Sequence, residues 1–261
     1  MKSRFESLPR RLKTLSQEVQ IGEVPCLLVK GEGKLRPFII WIHGRTADKE
    51  LDPGRYLRYV RNGINVCAVD LPGHGARFDA ALQEARQSLE VVMKMASEID
   101  GVMNGLEEFG GFDLQKAAIG GVSAGGMAAI LRLLTPHHFC AVVLESTVGN
   151  LEAMRDLPLC SALSDDEIAD INPLNHLGGW KDIPVLAFHN KRDEWIPISG
   201  QESFINALKE KSTKSEQIEF ITFERTGAPY EHIGFGRESA FVKEVQVEFV
   251  AKYLKIGIET V

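Results

Sequence analysis

Short, almost wholly apolar runs alternate along this chain with longer stretches in which apolar residues recur every three or four positions. A strand covered on both faces reads as the first pattern and an amphipathic helix as the second. Residues 37–42, 64–69, 139–144 and 184–188 are runs of the first kind. Residues 114–119 form a weaker run that ends in a glycine-rich turn, and 218–223 form the last. Ahead of them, 19–21 and 24–29 predict an antiparallel opening hairpin. Between the runs, Asp52-Pro53 puts an N-cap residue and an N1 proline before Tyr56, Leu57 and Val60, with Gly63 as the stop. Leu89, Val92, Ala96, Ile99, Met103 and Leu106 mark one long helix, and 124–134 is apolar nearly all round, as a deeply buried helix is. Phe204 with Leu208, and Val242, Val245 and Phe249, mark two later helices.

Strands alternating with helices in this way predict an α/β fold, a mostly parallel sheet of about eight strands with helices on both faces. The only long stretch without clear strands is 149–180, the size of a small lid. The expectation is a single domain over 1–261 carrying that insertion.

Composition narrows the function classes. The chain has 261 residues, 44% hydrophobic and 25% charged, long enough to bury a sizeable core without disulfides or metal. Its net charge of −6 supplies no basic field for nucleic acid or anionic lipid. No apolar run approaches the ~20 residues of a membrane span, and the charged residues throughout 1–20 do not read as a signal peptide. Cys26, Cys67, Cys140 and Cys160 are widely spaced, against a zinc ribbon or a disulfide framework. Cys67 is expected to be an inert core residue and Cys160, in the lid, to be exposed. A cytoplasmic protein without metal or cofactor is the expectation, and its chemistry has to come from local constellations.

Gly121-Val122-Ser123-Ala124-Gly125 fits G-x-S-x-G between a strand and an apolar helix. There Ser123 would sit on the strained turn of a nucleophile elbow, where a Cβ at Gly121 or Gly125 would strike backbone. A dinucleotide loop is the rival, since Gly120, Val122 and Gly125 occupy its three glycine positions and Glu145 the ribose-binding one. A valine in the middle blocks close approach to a pyrophosphate.

A serine needs a base, and the base needs an orienting acid. Asp193 follows the apolar run 184–188, in a loop at the strand end where open parallel sheets place their sites. His232 follows the last strand and precedes the last helix. Ser123, Asp193 and His232 thus stand in the chain order of this architecture. Glu194 is expected to point away, and Glu145 is the alternative acid. His43, His74 and His189 also lie near strand ends, none after the last strand. For an oxyanion, the backbone N–H groups of Ala124 and of Arg45 are the candidates, with Thr46 able to replace Arg45. Trp195 and Phe235 are candidates for the cleft wall or for the core. His137-His138 has no partner at ligand spacing.

With His43-Gly44, Asp70-Leu71-Pro72-Gly73-His74-Gly75, Gly121–Gly125, the Asp193 loop and His232 in hand, the sequence resembles the α/β-hydrolase superfamily from about residue 20 onward. It is most similar to small esterases related to dienelactone hydrolase and to the catalytic domain of prolyl-oligopeptidase-type enzymes. The resemblance implies an α/β-hydrolase fold, an acyl-enzyme mechanism and a small-molecule ester substrate. Peptidase, thioesterase and lactonase activities use the same machinery, and a noncatalytic binding protein is the remaining alternative. Two departures stand out: Asn190 where the family often has glycine, and serine where dienelactone hydrolases use cysteine.

Overall fold

The eight runs assemble into one sheet in a computed structural model that describes residues 4–33 and 35–255. The ends of the expected 1–261 unit, 1–3 and 256–261, and Lys34 lie outside the described residues. Strands β1 (Ser16–Ile21) and β2 (Val24–Val29) form the opening hairpin, Ser16 facing Val29 and Ile21 facing Val24. β3 (Leu35–Ile42), β4 (Asn65–Val69), β5 (Gly111–Val122), β6 (Ala141–Glu145), β7 (Val185–Asn190) and β8 (Ile218–Phe223) run parallel to one another. The order is β1-β2-β4-β3-β5-β6-β7-β8, with β2 antiparallel to β4. The chain therefore leaves β3 toward one edge and returns at β5 toward the other, the switch point where such sheets open a crevice.

Strand β3 shows how the pattern builds two layers. Phe38, Ile40 and Ile42 point into one core with α3 (Ser88–Phe109), α4 (Ala124–Leu133) and α6 (Ile198–Lys211). Ile39 and Trp41 point into the other, with α1 (Arg10–Lys13), α2 (Pro53–Arg61) and α7 (Ser239–Tyr253). Helix α2 starts as its sequence requires, the Asp52 carboxylate accepting the Arg55 N–H at 3.3 Å. The basic residues of α1 flank a fully buried Leu12.

Several strand ends differ from the apolar runs by up to three residues, and two of them have a plain cause. β5 starts at Gly111 because Leu35 and Arg36 pair with Gly111 and Phe112 ahead of a register break, and the polar residues 113–116 hide this from periodicity. β6 starts only at Ala141, although Phe139 is buried, because the Phe139 N–H is taken by His137 Nδ1.

The stretch 149–180 contains a 3₁₀ turn (Leu151–Met154), α5 (Asp165–Ile171) with a Ser164/Glu167 capping box, and a second 3₁₀ turn (Pro173–Gly179). Ile168, Cys160 and Trp180 anchor it to the core; burying a side chain the size of isoleucine is worth roughly 1.5–3 kcal/mol. The expectation that Cys160 is exposed is therefore corrected: it is fully buried, and burial pushes its thiol pKa up to about 11. Cys67 is buried as expected. Among the described residues no helix is long and apolar enough to cross a membrane.

Candidate active site

The turn between β5 and α4 carries Ser123 at φ 54° and ψ −120°. A left-handed φ at a residue with a Cβ is strained, and surrounding contacts have to impose it. The Ser123 N–H donates to Glu145 O at 2.9 Å, and its carbonyl accepts Thr147 Oγ1–H at 2.8 Å. A methyl at Gly125 would run into the carbonyl oxygens of Ile42 and His43, and one at Gly121 into the backbone of Gly125. The two glycines let the turn close, and the closed turn lifts the Ser123 hydroxyl above the sheet.

Past β7, the Asp193 N–H bonds back to Asn190 O, making a turn that aims the carboxylate along the strand ends. Asp193 Oδ1 accepts the N–H groups of Trp195 (2.9 Å) and Ile196 (2.8 Å). Oδ2 lies 2.7 Å from His232 Nδ1 and 3.4 Å from His189 Nε2. Burial raises the Asp193 pKa, but hydrogen bonds from His189, His232 and Ile196 outweigh it and hold the carboxyl below its ordinary range. On the other side of the imidazole, His232 Nε2 is 3.0 Å from Ser123 Oγ. Three residues from three loops thus form one hydrogen-bonded line.

Spacing and pattern carried no sign of what holds the histidine loop. Tyr230 (φ 55°) and Glu231 (φ 45°) are consecutive left-handed residues, neither of them glycine. The Glu231 carboxylate fixes them by accepting Thr226 N–H (2.7 Å), Thr226 Oγ1–H (2.8 Å) and Gly227 N–H (3.0 Å). Asn190 Nδ2 donates to the Glu231 carbonyl, tying the acid loop to the histidine loop. The asparagine that departs from the family pattern therefore has a structural job.

The other candidates separate cleanly. Glu145 meets Ser123 only through its backbone carbonyl; its carboxylate is turned to Arg55 in a two-pronged ion pair, at 2.7 and 3.0 Å. Glu194 is exposed, with its N–H donating to Tyr230 O. His43 Nε2 accepts the Leu71 N–H at 3.1 Å, and His74 Nδ1 donates to Pro72 O at 2.8 Å. His189 is enclosed by Gln201 and Ile196 O. Phe235 is buried against Phe188 and Phe223, whereas Trp195 lines the cleft. Among the described residues no His/Cys/Asp/Glu group has metal-site geometry.

A cavity of about 710 Å³ opens at Ser123 and His232. The turn after β3 forms one side: a Cβ at Gly44 would touch Val122 O and Ser123 Cβ, so Gly44 lies against the elbow, and Arg45 and Thr46 continue along the cavity. The N–H groups of Arg45 and Ala124 donate to no acceptor among the described residues. The Arg45 guanidinium is half-buried and donates to Gln83 O at 3.0 Å. Met154, Leu157, Pro158 and Leu159 bring an apolar wall from 149–180.

An eight-stranded, mostly parallel sheet with a serine on the strained turn after β5 defines a serine hydrolase of α/β-hydrolase fold. A model of the prolyl oligopeptidase family matches residues 56–257, and the chain belongs to that family. No curated protein matches the chain in sequence. Solved structures share its fold at low identity. TT1662 from Thermus thermophilus superposes with a TM-score of 0.73 at 19% identity, covering 92% of this chain and 98% of that one. A thermophilic esterase of Thermogutta terrifontis gives 0.69 at 16% identity, covering 98% of both chains. A puromycin-hydrolysing peptidase of Mycobacterium tuberculosis gives 0.75 at 20% identity, covering 94% of this chain and 40% of that one.

Proposed function

We propose that the protein hydrolyses carboxylic esters of small molecules through an acyl-serine intermediate, with Ser123, His232 and Asp193 as the catalytic triad. The observation that carries this reading is the unbroken line from Oγ to Nε2 (3.0 Å) and from Nδ1 to Oδ2 (2.7 Å). Ser123 Oγ attacks the acyl carbon while His232 Nε2 takes its proton. Asp193, kept ionised by its hydrogen bonds, orients the ring and stabilises the imidazolium. The carbonyl π electrons move onto oxygen, and the unused N–H groups of Arg45 and Ala124 stabilise the oxyanion; losing one such donor costs roughly 10²–10³ in rate. The tetrahedral intermediate collapses, the ester C–O bond breaks, and the leaving oxygen takes the proton from His232. Water, deprotonated by the same imidazole, then releases the acid and restores Ser123.

Esters are favoured over amides because the segment 149–180 is short and an ester leaving group needs less activation than an amine. Family membership favours one second reading, peptide hydrolysis by the same triad. A series of p-nitrophenyl esters set against p-nitroanilides of the same acyl groups separates the two. The ester reading expects kcat/KM at least about 100-fold higher for the esters than their greater chemical lability explains. Anilide or peptide cleavage at rates matching the esters would replace it with the peptidase reading.

A further inference from the structure

The leaving oxygen has to come within hydrogen-bond reach of His232 Nε2, about 3 Å, to receive its proton. Whatever packs on that imidazole and faces the cavity therefore sits beside the leaving group, not beside the acyl chain. Trp195 does both: its ring centroid is 4.9 Å from that of His232, and it lines the cavity. It stays 37% exposed, although an indole is among the costliest side chains to leave in water. Nor is it free to turn away. Its backbone N–H is held by Asp193 Oδ1, which fixes where the side chain starts, and the ring itself lies between His232 and Tyr230, which stacks on it at 5.0 Å and 29° between planes. Tyr230, 53% exposed, is in turn fixed by the strained, Glu231-clamped backbone. The result is a rigid aromatic platform at the mouth, built on the same two loops that carry the acid and the histidine.

We infer that the leaving-group side of the cavity is an aromatic subsite, with Trp195 as its contact surface and Tyr230 as its support, which selects esters of arylmethyl alcohols. This rests on the esterase reading above. A planar ring entering the mouth meets the indole in the offset or edge-to-face arrangement that aromatic pairs prefer, which a saturated ring of the same size does not gain.

The test compares benzyl acetate with cyclohexylmethyl acetate, whose leaving groups are similar in size and basicity. Native protein is expected to favour the benzyl ester in kcat/KM by roughly threefold to tenfold. Trp195→Leu brings the ratio to about one and Trp195→Phe keeps most of it, whatever each does to the common rate through His232. Labelling of Ser123 by a fluorophosphonate is followed in all three proteins. Labelled native protein with a ratio near one, or a preference that survives in Trp195→Leu, overturns the aromatic subsite and leaves the hydrolase reading standing. Absence of both labelling and turnover in the native protein overturns the two together.

Discussion

Two buried clusters meet at the carboxyl ends of the strands, each pairing an acid from the sheet rim with a base from a distant element, and both border the same cavity. In one, Asp193, His232 and Ser123 form a line. In the other, Glu145 holds the Arg55 guanidinium, which also binds Asp52 at 3.0 Å and Gln246, and Lys243 closes the group on Asp52 at 2.8 Å. Arg55 additionally lies over the Trp41 ring at 3.9 Å. The difference is what a proton can do. Burial works against the Arg55 charge, but Glu145 and Asp52 outweigh it and raise its pKa, so no proton leaves at any ordinary pH. The first cluster ends in a neutral hydroxyl on a strained turn, with an imidazole able to take its proton. Fixed ions fasten α2 and α7 to the rim; in the proposed mechanism the movable proton supplies the chemistry.

The contrast is broken most sharply by exchanging carboxylates for amides. Asp193→Asn is expected to lower kcat by roughly 10⁴, the scale of triad acids elsewhere, while Glu145→Gln stays within about threefold; the reverse ranking in steady-state assays would move the acid to Glu145. Stability should rank the opposite way. Removing one partner of a buried ion pair costs about 3–5 kcal/mol, so Arg55→Ala should unfold at markedly lower urea than Asp193→Asn. Equal midpoints would mean that the Arg55 cluster fastens nothing.

His74 extends the same division to pH. It is buried, its Nε2 lacks a partner, and burial, opposed by its bond to Pro72, lowers its pKa to about 4. The unfolded chain then takes the proton first, so this contribution is complete above pH ~6.5 and is lost as pH falls toward 4. It amounts to about 3 kcal/mol. Urea unfolding of His74→Gln should be flatter than native across that window, and parallel curves would remove His74 as the cause. A smaller effect than that of Asp193→Asn is expected of Glu231→Gln. Loosening the clamp on the histidine loop should lower kcat roughly tenfold with KM unchanged; a change confined to KM would assign Glu231 to substrate binding instead.

Chain order and strand-end position were enough to bring Ser123, Asp193 and His232 together on paper, because the parallel sheet turns sequence order into a fixed rim. The partners of Glu145 were not legible: Arg55 and Gln246 lie 90 and 101 residues away on helices whose polar faces look like any solvated surface. Glu231 reads as an ordinary loop acid until the left-handed backbone beside it is seen. Cys160 misled because a segment poor in strands reads as exposed, whereas 149–180 carries its own apolar anchors. The platform at Trp195 was half visible, since a tryptophan near a strand end fits wall and core equally well.

In the proposed mechanism Ser123 is activated by His232 and by no other base. A fluorophosphonate probe followed by peptide mass spectrometry tests it directly on native protein, His232→Ala and Glu145→Gln. The expected result is a single adduct on Ser123 at near-native rate in Glu145→Gln and almost none in His232→Ala. An adduct on another residue, or labelling of His232→Ala as fast as native, would contradict it.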